Sequence, residues 1–115
     1  MTSVFDPTEA LAGVGDDREL LGQMVSVFCA ESPRMLTQIR KSIESGDAKA
    51  LMRAAHALKG SVGNFGRSES FRLAEKMERT ALSGSLKDAH AEFSLLEDLI
   101  SALQRDLTTF CRKSA

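Results

Sequence analysis

A chain of 115 residues, 43% hydrophobic and 27% charged, is long enough to bury one core without disulfides or a structural metal, and it reads as a single domain over residues 1–115. Its net charge of −1 gives no bulk attraction to nucleic acid or anionic lipid, and no apolar run reaches the length of a membrane span. No nucleic-acid partner and no membrane insertion are therefore expected.

In chain order, a short first helix is announced by Asp6-Pro7-Thr8-Glu9, where Asp6 caps, Pro7 fits the first turn and Glu9 can close a capping box. It ends near Gly13 to Gly15. A second helix begins at Asp16 or Asp17 and turns Leu20, Leu21, Met24, Val25, Phe28 and Cys29 inward. Ser32-Pro33 interrupts it, so the segment kinks there or restarts with Ser32 as its cap. The pattern resumes through Met35, Leu36, Ile39 and Ile43 and stops at Gly46, a left-handed terminator. Asp47 caps the third helix, which runs to about Asn64 and ends at Gly66. The fourth spans about Ser68 to Leu82. Ser85 and Asp88 form a capping box for the last, whose apolar set is Ala89, Phe93, Leu96, Leu99, Ile100, Leu103, Leu107 and Phe110.

No segment alternates as a strand does, so the chain is expected to be all-α. Four long amphipathic segments on short links predict an antiparallel up-down four-helix bundle with a short N-terminal helix, its long second helix kinked near Pro33. Cys29 and Cys111 lie far apart in apolar helical patterns, without metal-ligand spacing, and are expected to be reduced core residues. Residues 1–30 are acidic and broken by Pro7, Gly13 and Gly15, unlike a signal peptide, which predicts a cytoplasmic protein. Charge is uneven: Met1 to Ser32 holds six acidic residues against Arg18 alone, whereas Arg34 to Arg79 holds ten basic against five acidic. A partner with an acidic site suits that distribution.

The third helix is unusual. Its stretch AAHALKGSVGNFG, Ala54 to Gly66, carries Gly60 and Gly63 inside the helical pattern, where each glycine is worse than alanine by about 0.8–1 kcal/mol. Leu51, Ala55, Leu58, Val62 and Phe65 fall within about 40° of one line and form a core stripe. Met52, His56, Lys59, Gly60 and Gly63 fall roughly 80° to 180° away, on the outward face. His56 and Lys59 are i,i+3 neighbours, and Gly60 stands one turn from His56. Missing side chains at 60 and 63 let a bulky group approach the imidazole. A cation beside the ring favours its neutral, nucleophilic form and would stabilise an attached anion. Nucleophile, anion partner and clearance together suggest phosphoryl transfer through phosphohistidine. His90, between Asp88 and Glu92 with no motif around it, reads as a surface histidine.

AAHALKGSVGNFG resembles the signature of histidine-containing phosphotransfer (HPt) domains. The flanks agree in order and spacing: FDPTEALAGVGDDRELLGQMVSVFCAESPRML resembles the helix before the site in HPt domains attached to hybrid sensor histidine kinases. SGDAKALMRAAHALKG resembles the approach to the histidine, and LAEKMERTALSG the next helix. The resemblance implies that His56 accepts a phosphoryl group from the phosphoaspartate of one response-regulator receiver domain and passes it to another. Lys59 would then screen the phosphoryl charge and Gly60 clear the docking surface. In the family an acid or amide on the following helix holds the histidine's other ring nitrogen, and Glu78 occupies the matching place.

Read from the residues, Glu78 can accept the Nδ1 proton and leave Nε2 as nucleophile. A lesser reading makes it a surface glutamate paired with Arg79 or Lys76, and Glu75 is a nearby alternative. Ser61 and Asn64 read as small-residue packing and helix-end hydrogen bonding. Docking is expected around Met52, His56, Lys59, Gly60 and Gly63, with Arg53 and Arg67 facing an acidic receiver site. No carboxylate cluster marks a metal site, so any magnesium would come with the receiver, and the protein is expected to be a monomer without kinase activity of its own. Two other readings are weighed. A histidine-kinase dimerisation hairpin would carry an acidic residue where Ala57 follows His56. A non-phosphorylated adaptor bundle that docks receivers would not need both His56 and Lys59.

Overall fold

The computed structural model describes residues 5–113. It contains α1 (Pro7–Ala12), α2 (Arg18–Ser45), α3 (Ala48–Gly63), α4 (Glu69–Leu82) and α5 (Ala89–Lys113). Consecutive long helices pack on one another and α5 returns to α2, closing a four-helix bundle of 44 × 26 × 21 Å with α1 against α2.

Most boundaries follow from side chains that satisfy the free amides of a helix start. Asp6 accepts from the Thr8 amide at 2.9 Å, Asp17 from Leu20 at 3.0 Å, Asp47 from Ala50 at 3.0 Å and Ser68 from Phe71 at 3.4 Å. Each such cap is worth about 1 kcal/mol. Gly46 ends α2 in the left-handed region at φ 69°, which glycine adopts most readily. Its amide and that of Asp47 turn back to the carbonyls of Ile43 and Ser42.

Four local expectations are corrected. Glu9 does not close a box with Asp6. Its carboxylate reaches across the fold to the Arg67 amide at 3.2 Å, because α1 lies against the turn between α3 and α4. Helix α2 neither restarts at Ser32 nor uses it as a cap: it runs through Pro33, and Ser32 is fully buried, accepting a hydrogen bond from Gln104 of α5. The bond to Gln104 gives Ser32 a tertiary role in place of a cap, and Pro33 is accommodated inside the continuous helix. Helix α5 starts at Ala89, not at Ser85, since Asp88 takes φ 64° and the Ser85 hydroxyl accepts from Lys87 in a local turn. Leu20, counted inward from its spacing, is 41% exposed because the core face of α2 is centred on Leu21, Val25 and Phe28.

The core runs the length of the bundle: Leu21, Phe28 and Ile39 from α2, Leu51, Leu58 and Val62 from α3, Met77 from α4, and Leu96, Ile100, Leu103 and Leu107 from α5. Phe65 just past α3 is buried against Phe28, their ring centroids 5.3 Å apart. Cys29 and Cys111 are half-buried free thiols rather than core residues, with Cys29 Sγ 4.0 Å from the Thr108 hydroxyl. Among the described residues no helix is long and apolar enough to cross a membrane.

Candidate functional site

The expected stripe on α3 is buried throughout: Leu51, Ala55, Leu58, Val62 and the following Phe65 are each at most 2% exposed. Anchoring that face turns the opposite one outward. His56 consequently stands at the surface with its side chain 65% exposed, while Lys59, one turn on, leans toward α4 and is 22% exposed.

Helix α4 brings Glu78 to both. One carboxylate oxygen, Oε2, lies 2.6 Å from His56 Nδ1, and the other, Oε1, lies 2.7 Å from Lys59 Nζ. Glu78 itself is only 16% exposed. Burial pushes its carboxyl pKa up, but the hydrogen bonds from Lys59 and His56, with their charges, more than offset this and hold it below the ordinary glutamate value. The group is therefore an ionised, acceptor-only carboxylate at neutral pH. Such an acceptor takes a proton on Nδ1, and in the tautomer that donates it the ring lone pair lies on Nε2. Glu78 is thus the acid selected from the sequence-level alternatives. Its pairing with Lys76 does not form, because Lys76 reaches Glu92 on α5 at 3.1 Å.

Lys59 stands beside the imidazole, with a partner that the sequence reading did not assign to it. Its charge is matched by Glu78, which makes Lys59 and His56 two donors on one acceptor. Nothing in the spacing along α3 announces this, since it depends on how α4 is rotated against α3.

The two glycines also part company. A Cβ at Gly60 would meet no atom within 4 Å beyond the helix's own backbone, so the surface one turn from His56 is open. A Cβ at Gly63 would come 3.2 Å from the Phe71 ring, so this glycine, though exposed, lets the start of α4 pass close to the end of α3. Met52 is half-buried and packs on the core edge. Arg53 is exposed one turn before His56. Arg67 is exposed beyond the end of α3, its guanidinium 5.6 Å from the centre of the Phe71 ring. His90 is exposed, and Asn64 is the C-cap of α3 with its amide on the Ser61 carbonyl. Glu9 is the residue whose part was missed: it braces the turn after α3, and Gly66, at φ 102°, would bring a Cβ within 3.0 Å of it. Its position in an apparent capping box hid that role.

The arrangement is chemically that of an exposed imidazole with one nitrogen tethered and the other free, beside a surface left bare of side chains. Among the described residues, no three histidine, cysteine, aspartate or glutamate side chains converge as a metal site.

Comparison with known proteins identifies the family. A family model described as Hpt domain matches residues 23–106. Among solved structures, histidine-containing phosphotransfer protein B (HptB) from Pseudomonas aeruginosa PAO1 is similar with a TM-score of 0.88 and 19% identity, over 98% of each chain. The HPT domain from the Hpt sensor hybrid histidine kinase from Shewanella is similar with a TM-score of 0.82 and 15% identity, over 96% of this chain and 95% of that one. At those identities the likeness concerns the fold. No curated protein sequence matches the chain.

Proposed function

Because the chain belongs to the Hpt domain family, we propose that it is a phosphotransfer intermediate of a two-component phosphorelay, with His56 receiving a phosphoryl group from the phosphoaspartate of one receiver domain and delivering it to another. The observation that carries this reading is the single Glu78 carboxylate bonded to both His56 Nδ1 and Lys59 Nζ beneath the open surface at Gly60.

In the proposed step the Nε2 lone pair attacks phosphorus in line with the aspartyl oxygen. The N–P bond forms, the P–O bond breaks, and the aspartate leaves as a carboxylate. The ring then carries an extra positive charge, which Glu78 stabilises through the Nδ1 hydrogen bond. Because Glu78 already holds the Nδ1 proton in place, no tautomer change is needed before attack. Lys59 sits where it can turn from Glu78 toward the arriving phosphoryl oxygens. Gly60 admits the receiver's backbone, and the exposed Arg53 and the edge of Met52 lie on the same side of α3.

Both oxygens of the nearest carboxylate are engaged by His56 and Lys59, which leaves this chain a poor donor set for magnesium. In this proposal the receiver brings the metal, and the protein has no ATP-dependent kinase activity of its own. The test is to mix the chain, and separately His56→Gln, with a phosphorylated receiver domain and magnesium and follow acid-labile, base-stable label. Label on the wild type alone is the expected result; no label from a panel of receivers would remove the phosphotransfer reading.

A further inference from the structure

Between α2 and α3, on the side of α3 away from α4, lies an open cleft of about 330 Å³. Its floor is small: Ala50, Ala54 and Ala57 stand at i, i+4 and i+7 along α3 and leave the groove unfilled. Two cations border it from different helices, Lys41 on α2 and Arg53 on α3. Both are exposed, and among the described residues neither has a carboxylate partner, although Arg34 and Arg40 on the same stretch of α2 are paired with Glu31 and Glu44. Two unneutralised charges of one sign converging on one concavity raise its positive potential and favour an anionic occupant.

Position identifies the occupant. Arg53 stands one turn before His56 on the same side of α3 and also borders the cleft, so a partner docked on His56 reaches the cleft's rim. We propose that Lys41 and Arg53 form a carboxylate-binding cleft for an acidic side chain of the receiver docked on His56, and that this cleft selects among receivers. The inference rests on the phosphotransfer reading and adds to it a selecting site on α2, outside the face centred on His56 and Gly60. Arg67, grouped with Arg53 from the sequence, takes no part, because it lies beyond the far end of α3, over Phe71. An acidic side chain suits the site because its aliphatic stem can lie on the alanine floor while its carboxylate meets the two cations at the rim.

The experiment uses the full chain in two arms. Phosphoramidate, a small donor that needs no docking, is applied first to the wild type. Absence of label on His56 overturns the phosphotransfer reading, and the cleft with it. In the second arm a panel of receiver domains, phosphorylated with acetyl phosphate and magnesium, donates to wild type, Lys41→Glu and Lys41→Arg at several salt concentrations. Lys41 is exposed and unpaired, so neither change threatens the fold. For the preferred receiver Lys41→Glu is expected to lose roughly tenfold in kcat/KM at low salt, the loss carried by KM and shrinking as salt rises, while Lys41→Arg transfers as the wild type does. An unchanged KM in Lys41→Glu, in a chain that phosphoramidate labels, overturns the cleft alone. A loss that salt does not reduce overturns it too.

Discussion

Glu78 bonds two side chains that reach it from successive turns of another helix, and its charge state governs both. Its pKa is lowered in the folded chain, so it contributes stability above its unfolded value and loses that contribution as pH falls through the lowered folded value. Glu78→Gln is expected to remove this part of the acid-range dependence, read as the difference between urea midpoints at neutral pH and below the ordinary carboxylate range. The same change should slow labelling of His56 by about ten- to hundredfold, the usual effect of removing a group that orients a reactive imidazole. Gly60 and Gly63 give contrasting expectations. With open space around it, Gly60→Ala should raise stability by about 0.8–1 kcal/mol in urea unfolding, whereas Gly63→Ala should gain less because the Phe71 ring must move. Gly60→Glu should slow receiver transfer in a chain that still unfolds cooperatively. Equal transfer rates would show that the partner docks elsewhere.

At the level of elements, the six-residue α1 is tied to the rest of the fold by its buried Ala10 and by Glu9, which crosses to the turn after α3. Glu9→Ala should lower stability by about 0.5–1.5 kcal/mol and release the Arg67 amide first in hydrogen exchange. Unchanged protection there would mean that the turn holds itself. Helix starts at Asp17, Asp47 and Ser68 were readable from the chain because a cap acts on amides two or three residues away. The core stripe of α3 was readable for the same local reason, a period of 3.6. Contacts between helices were not: the Lys59–Glu78 bond, the Glu9–Arg67 bond and the Ser32–Gln104 bond each depend on the rotation of one helix against another. Periodicity tells which face is buried and says little of which neighbour it meets. Asp88 misled for a different reason, since a residue at φ 64° terminates the capping pattern that its side chain suggests.

The whole molecule separates support from chemistry. The core is continuous through all four long helices, while the candidate site is drawn from one face of α3 and one residue of α4. Leu103→Ala, at a fully buried position of α5, should lower stability by about 2–5 kcal/mol yet leave the labelling rate of the folded fraction unchanged. A loss of rate in fully folded protein would instead reveal coupling between α5 and the site.

The exposure of His56 has one more consequence within the proposed function. A ring that a receiver can reach is a ring that water reaches too, and no lid among the described residues closes over its 65% exposed side chain. The phosphorylated protein would therefore be a timed carrier, whose memory of a signal lasts about as long as phosphoimidazole resists hydrolysis in water. Delivery must outrun that decay, so the abundance and nearness of the next receiver, more than any shelter in the fold, would decide how much of the signal arrives.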